Sequence, residues 1–138
     1  MNIYSSPEAG DKYLLQVPGL DYAIELPMVA VARNSRSLRI ASLNLTGQIR
    51  LNRDLGELLA KRITKELGDL DGVVMLTVVE RSLQLTQVVG EVLGLTAVAV
   101  AYNRVKPHME AASRPVFQVG VDSITSGAKY LCLYERDI

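Results

Sequence analysis

The feature that most constrains the fold of this chain is an unbroken apolar run, GVVMLTVV at residues 72–79, between two segments of helical period. An apolar run without alternation is typical of a parallel strand that is buried on both faces of a sheet. Before this run, leucine and isoleucine recur every three or four residues over residues 51–67, and a similar stripe follows over residues 83–93. We therefore predict a central parallel strand at residues 73–78, flanked by two amphipathic helices.

The segment after the second helix completes a βαβ unit. A further apolar run occupies residues 95–101, so strand, helix and strand follow one another, and a right-handed crossover is expected. Ser82 lies where it could cap the second helix, and Gly68 and Gly94 lie just past the ends of the two helices. These features place the chain in the α/β class.

The parts of the chain on either side of this unit are predicted to be β-rich. Apolar and β-branched runs separated by Pro, Gly and Asn predict short strands before the first helix and an antiparallel hairpin near the C-terminus. We expect one domain, with a β-rich front section at residues 1–45 and an α/β core at residues 46–138. The predicted strands are residues 13–17, 22–26, 28–33 and 38–43 in the front section, and residues 116–121 and 129–134 in the hairpin.

Charge and composition disfavour several classes of function. The 15 Lys and Arg residues balance 15 Asp and Glu residues, so no net charge attracts nucleic acid or an anionic membrane. The N-terminus lacks the basic and apolar regions of a signal peptide, and no apolar run is long enough to span a membrane. We therefore expect a cytoplasmic protein. Its one cysteine, Cys132, lies in an apolar strand-like run, which indicates a buried thiol rather than a reactive one.

Four short motifs accompany the predicted core elements. They are LRIASL at residues 38–43, VMLTV at 74–78, KPHM at 106–109 and SITSG at 123–127. In order and spacing they resemble the adenine/xanthine type of purine phosphoribosyltransferase. The resemblance implies an incomplete type I phosphoribosyltransferase fold, with a parallel βαβ core, an N-terminal β-rich hood and a hairpin. Enzymes of this family transfer a ribose 5-phosphate group from phosphoribosyl pyrophosphate to a purine base, and they use Mg²⁺ to hold the pyrophosphate.

The resemblance implies a pyrophosphate-binding loop directly after the central strand. In the family this loop reads TVEAKG or PEARG, and it wraps the pyrophosphate with backbone N–H groups and one basic side chain. Here the matching segment is TVVERS, so the implied anion-binding residues are Thr77, Val78, Val79, Glu80, Arg81 and Ser82.

Within this loop, Arg81 keeps the positive charge and is followed by a helix N-terminus, which favours anions. Glu80 adds a negative charge, and Ser82 replaces a glycine whose missing side chain lets the backbone approach the ligand. An alternative interpretation makes Ser82 a simple helix cap and leaves Glu80 and Arg81 as solvated charges.

The next loop differs more from the family pattern. Relatives usually open it with Arg-Lys, whereas this chain has Tyr102 and Asn103, and the implied flexible-loop cations are Arg104 and Lys106. His108 stands where relatives often carry a tyrosine, and we interpret it as an ordinary loop residue because no carboxylate partner is evident nearby. No catalytic residue and no metal ligand is assigned, and Mg²⁺ is expected only if phosphoribosyl pyrophosphate is bound.

The sequence contains no loop of the VDDVISTGGT type, which holds the ribose phosphate in the family. We therefore expect a non-catalytic relative of the purine salvage enzymes, with a purine or a phosphate as the implied ligand. The alternative is an active purine phosphoribosyltransferase that is completed by another chain. Neutral charge and the lack of a helix-turn-helix segment disfavour a nucleic-acid-binding regulator like the purine repressors. A homodimer, or a partner chain, is expected to cover the incomplete sheet.

Overall fold

The structure, a computed structural model, describes residues 10–33, 36–107, 116–123 and 127–134. In these residues the protein is a mixed α/β structure with two helices and seven strands. The chain divides into two compact units, Met1–Asn44 and Leu45–Ile138. Neither of the two helices in the described residues is long and apolar enough to cross a membrane.

The first unit contains a three-stranded antiparallel sheet in the order β1-β2-β3. Its strands are β1 (Lys12–Gln16), β2 (Ala23–Arg33) and β3 (Arg36–Ala41). We predicted two separate strands on either side of Pro27, but this residue lies inside β2 without interrupting it. The Pro27 carbonyl accepts the Ser42 N–H just past the end of β3. The N–H that proline lacks therefore falls where the β2–β3 ladder ends, so its loss costs the sheet little.

The second unit begins with helix α1, Ile49–Leu67, which ends at Gly68 as predicted. Gly68 has φ of 70°, a left-handed conformation that glycine adopts easily, and its N–H donates to the Thr64 carbonyl. The second helix, α2, spans Leu83–Leu93 and ends at Gly94, which is also left-handed. The sequence thus predicted both helices and their C-terminal ends.

The face that α1 buries differs from the predicted leucine stripe. Leu59 and Leu67 are exposed, whereas the buried residues of α1 follow a four-residue spacing of smaller side chains: Asn52, Gly56 and Ala60. This line packs against α2. A Cβ at position 56 would lie 2.5 Å from Val88 Cγ1, so only glycine fits there without a shift of the helices.

The parallel βαβ unit consists of β4 (Leu76–Val78), α2 and β5 (Ala99–Ala101). Its existence confirms the sequence prediction, but the prediction of a central strand buried on both faces is wrong. Leu76 is 56% exposed and Val78 is 38% exposed, and among the described residues β4 pairs only with β5. An unbroken apolar run indicates that a strand is hydrophobic, but it does not predict how many strands or helices pack against it.

The predicted hairpin is present as β6 (Val116–Ser123) and β7 (Gly127–Tyr134), which pair antiparallel. Tyr102, directly after β5, exchanges two backbone hydrogen bonds of 2.7 Å with Cys132 in β7. The hairpin is therefore joined to the β5 side of the parallel pair. Cys132 is fully buried, as its apolar neighbours predicted.

Candidate anion-binding site

The candidate site is the turn that leads from the carboxyl end of β4 into α2. β4 ends at Val78, α2 begins at Leu83, and the peptide bond between Val79 and Glu80 is cis. The Val79 N–H donates to the Ala101 carbonyl at 3.0 Å, which ties the start of the turn to β5. The turn is therefore attached at one end to the parallel pair and at the other end to a helix.

Three hydroxyl groups form a connected network beneath this turn. Thr77 Oγ1 lies 2.8 Å from Ser82 Oγ and 3.0 Å from Thr86 Oγ1. Ser82 Oγ also donates to the Val78 carbonyl at 2.6 Å, and Thr86 Oγ1 donates to the Ser82 carbonyl at 2.8 Å. Thr77 and Thr86 are buried, so the network links the end of β4 to the first two turns of α2.

Ser82 occupies the N-cap position that the sequence predicted, but its side chain makes no capping hydrogen bond. Its hydroxyl turns to the Val78 carbonyl instead of the helix amides. The backbone of Ser82 has φ of −87° and ψ of −11°, a conformation that any residue adopts. Position 82 therefore does not require glycine, and serine occupies it without backbone strain.

The backbone amides of the turn are available to a ligand. The N–H groups of Glu80, Arg81 and Ser82 donate to no described residue, although the next amide, that of Leu83, donates to the Glu80 carbonyl. Unpaired N–H groups at the start of a helix carry partial positive charge and bind anions. The turn thus presents three amide donors beside the N-terminus of α2, and the first turn of that helix contains no acidic residue.

Charged side chains surround these amides unevenly. Arg81 and Glu80 are both exposed, and Arg81 forms no ion pair within the described parts of the chain. Arg104 is exposed as well, and it follows the carboxyl end of β5, the strand parallel to β4. Because the carboxyl ends of parallel strands meet at one edge of a sheet, Arg81 and Arg104 lie on loops at the same edge.

Lys106, the other cation implied by the sequence, is already engaged. Its Nζ stands 5.5 Å from the centre of the Tyr102 ring, a cation–π distance, and its side chain is half-buried. Tyr102 thus holds one of the two loop cations over its ring. His108 lies outside the described residues.

The sequence interpretation missed Thr86. We assigned the buried face of α2 to its leucine and valine residues, yet Thr86 is 9% exposed and contacts the candidate turn. The available signal was a polar β-branched residue within an apolar helix face, four residues after Ser82. That spacing places a threonine hydroxyl within reach of the carbonyl one turn earlier.

The part of the chain that the structure describes contains no group of three or more His, Cys, Asp or Glu side chains that could hold a metal ion. Glu80 supplies one carboxylate next to the candidate anion site. Mg²⁺ commonly binds through one or two carboxylates together with substrate phosphates.

A scan against models of known protein families finds no match to this chain. A search of curated proteins also finds no match.

Proposed function

We propose that this protein is a phosphoribosyltransferase-like protein, related to the purine (adenine/xanthine) salvage enzymes, that binds pyrophosphate-bearing ligands and is not catalytic alone. The observation that carries the proposal is a strand-turn-helix segment with one exposed arginine and three amides, at Glu80, Arg81 and Ser82, that donate to no described residue. The four co-linear motifs that resemble the family support the same function. A cytoplasmic location remains part of the proposal.

The geometry suits a diphosphate for two reasons. Several N–H groups at one helix N-terminus can donate to several oxygens of one anion, and the helix dipole favours its negative charge. The Arg81 guanidinium can add a charge-assisted hydrogen bond, because no described acidic side chain competes for it. A neutral purine base would not use this set of donors as fully.

Three features of the site support a binding role rather than catalysis. Glu80 places a negative charge next to the proposed diphosphate. The neutral pair Tyr102 and Asn103 replaces two cations of the family pattern, and Lys106 is held over the Tyr102 ring. A pyrophosphate leaving group develops charge that must be neutralised in the transition state, and each missing donor slows such a reaction considerably.

A second candidate function is an active purine phosphoribosyltransferase that is completed by another chain. The observation that favours it is the outer edge of β4, which has no strand partner among the described residues. In that case a partner chain would supply the groups that bind the ribose phosphate. Mg²⁺ would be held by the pyrophosphate of the substrate, with Glu80 as a nearby carboxylate.

Calorimetric titration with inorganic pyrophosphate and with phosphoribosyl pyrophosphate, each with Mg²⁺, tests the proposal. We expect binding of both, and we expect Arg81→Ala to weaken it about tenfold to a hundredfold, the usual effect of losing a hydrogen bond to a charged group. The matched control is Arg62→Ala, because Arg62 is an exposed arginine of α1 that pairs with Glu66. Absence of heat with the wild-type protein would exclude an anion site. Release of pyrophosphate when a purine is added would support the second candidate.

A further inference from the structure

We propose that Thr86 is a positioning residue that holds the anion-binding turn in its binding conformation. This inference rests on the proposed function and adds to it a residue that lies outside the turn. Thr86 stands in the second turn of α2 and is 9% exposed, so it cannot contact a ligand over the turn directly. Its hydroxyl contacts the Ser82 carbonyl and the Thr77 hydroxyl.

The number of hydroxyl protons shows that all of them are used in hydrogen bonds within the network. Thr77, Ser82 and Thr86 supply three protons for four contacts. Two of these contacts end on the carbonyl oxygens of Val78 and Ser82, which only accept hydrogen bonds. Ser82 donates to the Val78 carbonyl, and Thr86 donates to both the Ser82 carbonyl and the Thr77 hydroxyl, so the Thr77 proton serves the contact with Ser82. No hydroxyl proton remains for an anion, so the ligand must be bound by amides and by Arg81.

The network also fixes both ends of the turn whose three amides donate to no described residue. The first residue of the turn, Val79, is hydrogen-bonded to Ala101 in β5. Its last residue, Ser82, is hydrogen-bonded to Thr77 and Val78 in β4. Thr86 adds hydrogen bonds from α2 to Thr77 in β4 and to Ser82 at the end of the turn. A binding site gains affinity when a surrounding layer of hydrogen bonds fixes its donors before the ligand arrives.

The variant Thr86→Val tests this role without leaving a buried group unpaired. The Ser82 carbonyl keeps the hydrogen bond from the Thr86 backbone N–H at 2.8 Å, and Thr77 keeps its contact with Ser82. Valine is β-branched like threonine and has nearly its shape, so the variant removes the hydroxyl with little change in side-chain volume. Thr77→Val disrupts the same network by removing the hydroxyl in β4. This second variant tests the role if Thr86→Val does not fold.

Two measurements are needed, one of which requires no ligand. In Thr86→Val we expect the ¹⁵N order parameters of the Glu80, Arg81 and Ser82 amides to fall. We also expect the affinity for inorganic pyrophosphate to drop about threefold to tenfold, the usual effect of one neutral hydrogen bond. Thr86→Ser keeps the hydroxyl and should restore both values. The control is Thr64→Val, because Thr64 donates to the Ala60 carbonyl in the same helical manner but lies in α1.

The outcomes separate the two proposals. If wild-type protein binds no pyrophosphate, the proposed function fails, while a loss of order in Thr86→Val still establishes that Thr86 holds the turn. If Thr86→Val and Thr77→Val keep wild-type order parameters at the three amides, the positioning role is overturned. Failure of Thr86→Ser to restore order would also overturn it, since packing rather than the hydroxyl would then be responsible.

Discussion

Gly56 sets how closely the two helices approach. It lies at the middle of the buried line of α1, and the space that a Cβ would need is filled by Val88 of α2. Gly90 in α2 differs, because a Cβ there would meet the mobile end of Met75 at 3.4 Å, an ordinary contact distance. The close approach of the two helices therefore requires glycine at position 56 but not at position 90.

We expect Gly56→Ala to lower the free energy of unfolding by about 1–3 kcal/mol, because the helices must separate to admit the new methyl group. Gly90→Ala should change it by less than about 1 kcal/mol, since alanine's higher helix propensity offsets any crowding. Urea denaturation of both variants measures the difference. Equal stability of the two variants would show that the helix contact at Val88 adapts without cost.

At the scale of an element, the start of α1 is anchored by Asn52, whose side chain binds residues that precede the helix. Asn52 Nδ2 donates to the carbonyls of Leu45 and Gln48, at 2.6 Å and 2.8 Å. Gln48, the N-cap residue, makes no capping hydrogen bond with its side chain. Asn52 is 3% exposed, and its Oδ1 has no hydrogen-bond partner among the described residues. The amide nitrogen thus performs the anchoring while the amide oxygen remains unpaired.

This arrangement predicts a difference between two substitutions of Asn52. Asn52→Ala should lower the free energy of unfolding by about 1–3 kcal/mol through loss of the two hydrogen bonds. Asn52→Asp should lower it further, because a buried carboxylate cannot donate and would face two carbonyl oxygens. Thermal or urea unfolding at neutral pH compares them. An aspartate variant as stable as the alanine variant would contradict this account of the helix start.

At the scale of the whole molecule, the outer edge of β4 is the feature most open to association. Met75 and Val79 bond to β5 through Ala99 and Ala101, so the alternation of a parallel ladder turns the backbone groups of Leu76 outward. The Leu76 side chain is also exposed. An unpaired strand edge with apolar side chains is a template for pairing with another chain.

We therefore predict that the protein forms a homodimer through β4, because a second copy of the chain is the partner that is always present. Light scattering at several concentrations should give a mass above the 15.1 kDa of one chain. Leu76→Lys should shift the mass toward one chain, since a charge would be buried at the interface. Leu67→Lys is the control, because Leu67 is equally exposed, at 57%, but lies at the end of α1. A mass of one chain at every concentration would contradict the prediction.

The elements that sequence reasoning predicted well are those set by local period and local backbone chemistry. The three-to-four-residue spacing of apolar side chains predicted α1 and α2, and Gly68 and Gly94 marked their ends because left-handed backbone suits glycine. The hairpin of β6 and β7 followed from two apolar runs around a polar turn. In the candidate site, the same reasoning predicted that the central strand ends at Val78 and that Ser82 precedes the second helix.

Other features depended on the tertiary structure, because they are set by neighbours that are distant in sequence. Pro27 can remain inside β2 because the ladder between β2 and β3 ends next to it, at the pair of Met28 and Ala41. Among the described residues β4 lies at a sheet edge because only β5 pairs with it. Thr86 joins the site because α2 packs so that its hydroxyl meets Thr77, nine residues earlier. Hydrophobic period predicts that a helix buries one of its faces. The residues that are actually buried, such as Asn52, Gly56 and Ala60 in α1, and the hydrogen-bond partners across elements are decided only when the elements pack together.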